Sequence, residues 1–244
     1  MIIIENFRQN SMIKNINQNM PQANIEKGLY GSFAIKSDID VRDWRYVGKT
    51  DFDKFIKRYE IESEDINGKK SKWTLASRGD ENKSGNVTMI VPLIKDKFGS
   101  LWTLLQEEAR PIDLFRNGKE SSLFAFPAGL IGDEVENETA LDSAIRELTE
   151  ETGFVADKII PLNSRPIPTS PGLTDESTNY YLAYIKGLTP KAKALTDGIT
   201  KAWWFVPLKN LNKWLEKTEA VGKVANGQTM TALALLKQKT KIRF

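Results

Sequence analysis

The chain contains neither cysteine nor histidine among its 244 residues. Without cysteine there can be no disulfide, no thiolate nucleophile and no Cys-ligated zinc site. Without histidine there can be no imidazole base and no His-ligated metal. Serine–histidine and cysteine–histidine hydrolase mechanisms are therefore excluded. Any chemistry must come from carboxylates, lysines, arginines, hydroxyls and a hard, oxygen-preferring ion such as Mg²⁺ or Mn²⁺.

A strong charge bias and long apolar runs are also missing. The 35 basic and 32 acidic residues leave a net charge of +3, and the basic residues form no stripe with interleaved aromatics. We therefore expect no nucleic-acid partner, whereas small anionic substrates suit the slight positive balance. No apolar run approaches the roughly 18 residues of a membrane span, and residues 1–7 lack the basic start of a secretion signal. We expect no membrane partner and a cytoplasmic location.

The length suits one large domain with a smaller unit attached. We expect a loosely ordered extension over residues 1–40, in which residues 2–4 could form a short strand. A small antiparallel β unit should occupy residues 41–85, because strand-like segments 55–61 and 72–76 flank an Asn67-Gly68 hairpin turn. The main domain should cover residues 86–244.

Within the main domain the sequence predicts strands mixed with helices. The strands are expected at residues 86–94, 101–106, 123–127, 159–162, 178–185 and 203–206, and the helices at residues 208–217 and 228–239. Several strands are adjacent and antiparallel, so the fold class is α+β, with a sheet between helices.

Residues 132–154 hold eight carboxylates and a single arginine. Thr139 followed by Asp142 forms a capping box for a helix, and Gly153 suits its C-terminal end. Apolar residues recur at spacings of three and four and predict one buried stripe, made of Leu141, Ala144, Ile145, Leu148 and Thr152.

Glu147, Glu150 and Glu151 fall close together on this predicted helix. Only Arg146 is placed to relieve their repulsion, by reaching Glu150 four residues later. An acidic cluster of this kind is either a solvated helix face or the site of a divalent cation that removes the repulsion.

The stretch matches the pattern Gly-x5-Glu-x7-Arg-Glu-U-x-Glu-Glu-x-Gly-U, where U is a bulky apolar residue. It therefore resembles the Nudix family, and the resemblance implies a Nudix α/β/α sandwich with Mg²⁺ or Mn²⁺ held by Glu147, Glu151 and Glu150. The matching residues are Gly132, Glu138, Arg146, Glu147, Leu148, Glu150, Glu151, Gly153 and Phe154.

One ambiguity lies inside this match. Residues 126–131 resemble the strand end of Nudix enzymes that cleave ADP-ribose and nucleotide sugars, in which the glycine of the pattern would be Gly129. Either the loop carries three extra residues, or Gly132 has taken that role. The backbone carbonyl expected to help bind metal is accordingly that of Ala128 or of Ile131.

The resemblance extends over roughly residues 54–240 and is greatest to the ADP-ribose and nucleotide-sugar pyrophosphatase branch. In that branch the N-terminal β unit exchanges across a two-fold homodimer. By position, Trp73 and Phe55 would stack on the nucleobase, Arg78 and Arg110 would bind the pyrophosphate, and the loop with Pro171 and Gly172 would contact substrate. A strand tryptophan is otherwise more often a core residue, and an arginine before proline is usually a solvated strand end.

The implied reaction is metal-assisted attack of water on one phosphorus of a nucleoside diphosphate sugar. ADP-ribose would give AMP and ribose 5-phosphate. Several members of the branch place a glutamate base in the loop before the last strand, where this chain offers only Asp197. The base is therefore either Asp197 or a glutamate of the acidic cluster, with Arg146 orienting Glu150.

Two alternatives to this function remain. The first keeps the chemistry and changes the substrate to a UDP- or GDP-sugar. The second is a non-catalytic Nudix domain that senses ADP-ribose; the intact pattern and the absence of a helix-turn-helix signature in the sequence disfavour it.

Overall fold

The computed structural model describes residues 2–19, 24–36, 56–79, 85–111, 115, 118, 121–188 and 199–244. These residues form four α-helices: α1 Ile2–Asn19, α2 Ala140–Thr152, α3 Leu211–Glu219 and α4 Gly227–Lys239. The strands are β1 Asn24–Lys27, β2 Phe33–Lys36, β3 Lys57–Glu64, β4 Lys70–Ser77, β5 Val87–Lys95, β6 Leu101–Arg110, β7 Ser121–Ala125, β8 Ala128–Leu130, β9 Phe154–Pro161, β10 Ile167–Pro168, β11 Ser177–Leu188, β12 Thr200–Pro207 and β13 Val224–Ala225.

The predicted α/β/α sandwich is confirmed. Eleven strands form one mixed sheet, whose main path runs β1-β2-β12-β6-β5-β11-β10. Alternate residues of each strand point to opposite faces, so the sheet has two apolar cores. One core packs under α1 and α2, and the other under α3 and α4. Among the described helices, none is long and apolar enough to cross a membrane.

Strands β5 and β6 diverge towards one end of the sheet. They pair only through residues 93–95 and 101–103, next to their connecting turn. Beyond that point β7 pairs with β6 and β8 pairs with β5, so the two central strands are separated by the chain between them. This fork, which is open between the start of β5 and the end of β6, positions the candidate site.

The N-terminal segment differs from the prediction of a loosely ordered extension. Residues 2–4 belong to helix α1 rather than to a strand, and β2 is an interior strand of the main sheet, paired with β12. Met12, Ile16, Phe33 and Ile35 are all buried, between 0% and 4% exposed. Burial of these apolar side chains against the sheet stabilises a segment whose own sequence periodicity is weak.

The predicted N-terminal hairpin is confirmed as the pair β3–β4, joined by a turn in which Gly68 has a φ of +77°. We call this pair the hairpin. It forms a separate two-stranded sheet, and its hydrogen bonds to other described parts of the chain lie at one end. There, the Ala76 amide donates to the carbonyl of Leu173 (2.8 Å), and the Ser77 hydroxyl donates to the Asp175 carboxylate (2.8 Å).

A buried carboxylate connects β6 to its neighbour β12 and to the segment before β13. Glu107 on β6 accepts hydrogen bonds from the Trp204 indole of β12 and from the Lys223 ammonium, each at 2.8 Å. Burial alone would raise the pKa of Glu107, but these two hydrogen bonds, with one from Ser122, outweigh it and hold the pKa below its usual value. The ionised form is therefore stabilised by folding.

We predict that Glu107→Gln lowers the free energy of unfolding by about 2 kcal/mol at pH 7, because Lys223 and Trp204 lose a charged acceptor. A lowered folded-state pKa contributes stability above the unfolded-state value and loses it as pH falls through the folded-state value. The difference between wild type and variant should therefore shrink below about pH 4.5. Urea unfolding at pH 7 and pH 3.5 measures the free energies of unfolding, and Glu216→Gln at an exposed site is the control. If wild type and Glu107→Gln differ in stability by the same amount at both pH values, the prediction is contradicted.

Candidate active site

Helix α2 begins and ends where the sequence predicted. The Thr139 hydroxyl accepts from the Asp142 amide, and Thr139 donates in turn to the Asp142 carboxylate (2.6 Å). At the other end Gly153 has a left-handed φ of +67°, and its amide donates to the carbonyl of Thr149. Neighbouring residues thus hydrogen-bond the free backbone groups at both ends of the helix, which fixes where the helix begins and ends.

The buried face of α2 differs from the predicted apolar stripe. Leu141 and Ile145 are 43% and 48% exposed, so their placement in the stripe is wrong. The buried positions are Ser143, Ala144, Glu147, Leu148 and Thr152. Ser143 hydrogen-bonds Thr88 of β5 (3.0 Å), so the helix packs on the sheet through polar as well as apolar residues. The spacing of apolar residues alone therefore predicted the wrong set of buried residues for α2, because the true buried face includes Glu147.

Arg146 is the centre of the acidic stretch. Its Nε and Nη2 atoms donate to the two carboxylate oxygens of Glu138 at 2.8 and 3.1 Å, in a two-pronged ion pair. Its Nη1 donates to Glu150 at 3.1 Å, which is the predicted contact four residues later. Side-chain exposure is 13% for Arg146 and 2% for Glu138. Hydrogen bonding to Arg146 lowers the pKa of Glu138, so the pair stays ionised.

Glu147 lies buried beside Gly129 of strand β8. Its side chain is 9% exposed, and its Oε1 is 2.8 Å from Arg146 Nη1. Burial raises the pKa of Glu147 to about 7, although the charge of Arg146 opposes this rise. A Cβ atom at Gly129 would lie 1.8 Å from Glu147 Oε1. Any side chain at position 129 would therefore displace the Glu147 carboxylate from this position.

Gly132 has a different task. Its φ is +77°, a left-handed conformation that glycine adopts without strain, and its amide donates to Glu138 at 3.1 Å. The nearest atom to an added Cβ would be 3.8 Å away, so no close approach is involved. The two glycines of the ambiguous pattern thus have separate roles: Gly129 gives close approach to the helix, and Gly132 turns the loop that carries Glu138.

Glu151 of helix α2 is hydrogen-bonded to the same strand, β8. Its carboxylate accepts a hydrogen bond from the Ala128 amide at 3.0 Å, which places Ala128 beside the acidic cluster of Glu147, Glu150 and Glu151. All available donors are oxygens, which suits Mg²⁺ or Mn²⁺. Among the described residues, no three acidic side chains are gathered closely enough to hold a metal ion on their own. Mg²⁺ commonly takes only one or two carboxylates and completes its shell with water and substrate phosphate, so this donor set fits such an ion.

The fork between β5 and β6 opens into a cavity of about 720 Å³, which we call the main cavity. It brings together three predicted site residues, Arg78, Arg110 and Ala128. The rest of its wall comes from Val87, Pro111, Phe115, Leu123, Gly129, Leu130, Glu176, Asn226 and Gln228. Arg110 also donates to the Glu108 carboxylate at 2.7 Å, which restrains the guanidinium. Because Ala128 and Gly129 contact Glu151 and Glu147 as well, the acidic cluster adjoins this cavity.

Other predicted substrate residues lie elsewhere. Trp73 is 57% exposed on the hairpin and does not line the main cavity. Pro171 and Gly172 form an exposed turn that also lies outside its wall. Phe55 and Asp197 fall outside the residues that the structure describes.

Three polar cavity residues were not predicted from the sequence: Glu176, Asn226 and Gln228. Gln228 donates to the Thr178 hydroxyl at 2.9 Å, and the Glu176 carboxylate accepts from the Thr169 hydroxyl at 3.1 Å. Asn226 caps helix α4 through the Thr229 amide. Only the capping position of Asn226 carries a local sequence signal, because the other two reach the cavity through tertiary packing.

The chain is similar to several known proteins. A profile of the NUDIX domain matches residues 86–224. A Caenorhabditis elegans protein provisionally named nudix hydrolase 2 is 43% identical over 65 residues, which is 27% of this chain and 27% of that protein. The solved structure of an ADP compounds hydrolase has a TM-score of 0.58 at 22% identity, covering 80% of this chain and 94% of that one. The NUDIX domain of Shewanella oneidensis NrtR, complexed with ADP ribose, gives 0.46 at 17% identity, with coverage of 66% and 92%.

The profile covers more than half of the chain, so the protein belongs to the NUDIX family of hydrolases. The family generally uses divalent metals, in agreement with the all-oxygen donor set beside the main cavity. The solved ADP compounds hydrolase shares the fold.

We predict that Gly129→Ala weakens Mn²⁺ binding at least tenfold, because the added methyl group must displace the Glu147 carboxylate. Gly227→Ala is a matched control, since a Cβ there meets open space. Water-proton relaxation during a Mn²⁺ titration measures both affinities, and circular dichroism checks the fold. Equal Mn²⁺ affinity in wild type and Gly129→Ala would contradict the close-approach role of this glycine.

Proposed function

We propose that the protein hydrolyses the pyrophosphate bond of ADP-ribose, or of a related nucleoside diphosphate sugar, with Mg²⁺ or Mn²⁺. The main support for this proposal is that a single cavity is lined by two arginines and by the strand that contacts Glu147 and Glu151. A metal-bound diphosphate needs cationic side chains for its oxygens and carboxylates for its metal ion. With ADP-ribose the products would be AMP and ribose 5-phosphate.

The arginines are the proposed diphosphate ligands. Arg78 comes from the end of the hairpin and Arg110 from the end of β6, so they approach the cavity from separate elements. A guanidinium can donate two parallel hydrogen bonds to phosphate oxygens. The cavity of about 720 Å³ lies within the usual range for small-molecule sites, roughly 300–1,000 Å³.

Glu147 and Glu151 would hold the ion, with Glu150 and the Ala128 carbonyl as further ligands. When bound, such an ion neutralises the diphosphate oxygens and acidifies a coordinated water. Arg146 orients Glu150 through the 3.1 Å hydrogen bond, which keeps this half-exposed carboxylate near the cluster. We propose Glu150 as the group that accepts the proton of the attacking water, and Asp197 as the alternative base.

The choice of ADP-ribose rests on the sequence patches around Trp73, Arg110 and Pro171, and a UDP- or GDP-sugar would use the same chemistry. Trp73 does not line the main cavity of its own chain. We therefore propose that it stacks on the base in the cavity of a second subunit, with Phe55 as the other candidate stacking residue, and that the Pro171–Gly172 turn contacts substrate there.

The proposed assembly is a two-fold homodimer built through the hairpin. An isolated two-stranded sheet is marginal in water, and this one exposes Ile61 (50%) and Trp73 (57%), which are paired across its strands. We predict that light scattering at micromolar concentration gives twice the chain mass of 27.6 kDa. The variant Trp73→Ser should shift the protein towards monomer, whereas Ile66→Ser at the exposed turn should not. A monomeric wild type would contradict the assembly.

We predict that Glu151→Gln reduces the rate of ADP-ribose hydrolysis in Mg²⁺ by at least a hundredfold, because it removes a metal-ligand charge while keeping the oxygen that accepts from the Ala128 amide. Glu136→Gln, which changes an exposed acid in the loop before α2, should retain wild-type activity. AMP release followed by chromatography measures both, and thermal unfolding checks that each variant folds. Wild-type activity in Glu151→Gln would rule out the proposed metal role.

A further inference from the structure

A second cavity, of about 250 Å³, lies at the end of the sheet where β6 begins. We call it the far-end cavity. Its walls come from α1, from the start of β6, from the end of β12 with the residues after it, and from the residues after α4. Leu101 lines this cavity and Arg110 lines the main cavity, and these two ends of β6 are roughly 30 Å apart along the strand. A small ligand in one cavity therefore does not touch a small ligand in the other.

Most residues of this wall are apolar. Trp102 and Leu208 are only 1% and 2% exposed and belong to the two cores of the sheet, so packing on both faces holds this part of the wall in place. The other apolar residues of the wall are Leu101, Pro207 and Ile242. Apolar surface in a cavity binds the apolar part of a ligand because both surfaces are removed from water.

The charged residues of the wall are cationic: Arg8, Lys209 and Arg243. No acidic side chain is among the described residues that line it. The Arg8 guanidinium forms neither a hydrogen bond nor an ion pair with any described residue. Arg243 Nη1 lies 3.3–3.4 Å from three backbone carbonyl oxygens at and after the end of α4, and hydrogen bonds of that length are weak. Both arginines therefore remain available to an anion.

The residues around the far-end cavity are also mainly basic. One acidic residue, Asp96, contacts the wall: its carboxylate accepts from the Trp102 indole at 3.1 Å and from two backbone amides of the β5–β6 turn. These three donors stabilise the negative charge of Asp96 within the turn. Asp96 also lines a neighbouring cavity, whose other charged residues are Lys14, Lys95 and Lys97. This end of the molecule therefore carries an excess of positive charge, which attracts anions.

We propose that the far-end cavity binds a phosphate monoester that carries a small apolar group. The phosphate contacts the three cations of the wall, and the apolar group lies against its apolar residues. Three positive charges match the dianion of a phosphate monoester better than the single charge of a carboxylate, and a guanidinium can donate two parallel hydrogen bonds to phosphate oxygens. The volume of about 250 Å³ lies just below the usual range of small-molecule sites, so the apolar group is a short chain or one ring. This site is additional to the proposed hydrolysis and does not depend on it.

Hexyl phosphate is a simple ligand of this class, and titration calorimetry at pH 7.5 without divalent metal measures its binding. We expect saturable binding of one hexyl phosphate per chain. Inorganic phosphate and hexanol each present half of the ligand and should bind at least tenfold more weakly. Butyl phosphate places two fewer methylene groups on the apolar wall and should bind about tenfold more weakly. Hexanoate, with a single negative charge, should bind at least threefold more weakly, and equal binding of hexanoate and hexyl phosphate would overturn the choice of a phosphate.

Three variants locate the site. Arg8→Gln and Arg243→Gln should each weaken the binding of hexyl phosphate at least fivefold, and thermal unfolding checks that each variant folds. Arg110→Gln is the matched control, because it removes a cation from the main cavity and should leave the affinity for hexyl phosphate unchanged. If Arg110→Gln weakens binding and Arg8→Gln does not, the ligand lies in the main cavity and the proposal is overturned. The absence of saturable binding, or equal binding of butyl and hexyl phosphate, overturns it too.

Discussion

The two-pronged ion pair between Arg146 and Glu138 is the interaction on which the site depends. Eight carboxylates crowd residues 132–154, and Arg146 is the one cation of that stretch. Its guanidinium bonds Glu138 through two nitrogens and still reaches Glu147 and Glu150. With its side chain 13% exposed, it is screened less by solvent than a surface arginine. Acidic residues can therefore remain close together before any metal ion binds.

The same pair explains why the loop ahead of the helix needs two glycines. Glu138 is fixed by Arg146 from the helix and by the Gly132 amide from the loop, so the loop must turn at Gly132. The strand before it must also pass close to the helix, and Gly129 makes that possible beside Glu147. Close approach and turning are thus carried by separate glycines. The cluster thus stays next to β8, which forms the wall of the main cavity.

Features fixed by local chemistry could be predicted from the sequence, and features fixed by tertiary packing could not. The caps at Thr139 and Gly153 and the turn at Gly68 depend on a few neighbouring residues, and all three were predicted correctly. Helix α1 and strand β2 were missed because their stability comes from burial against β12 and its neighbours rather than from their own pattern. Glu176 and Gln228 reach the cavity from distant segments, so no spacing in the sequence could indicate them. Leu141 and Ile145 were misplaced because buried polar residues share the inner face of α2.

In the proposed reaction, the paired arginines and the acidic cluster act together on a diphosphate. The most direct measurement incubates the protein with Mg²⁺ and a panel of ADP-, UDP- and GDP-linked sugars, with products identified by mass spectrometry. In ¹⁸O-labelled water, we expect ADP-ribose to yield AMP and ribose 5-phosphate, one of them carrying a single heavy oxygen. Cleavage of a UDP- or GDP-sugar instead would preserve the chemistry and change the substrate. No cleavage of any member of the panel, by folded protein in Mg²⁺ or Mn²⁺, would contradict the account.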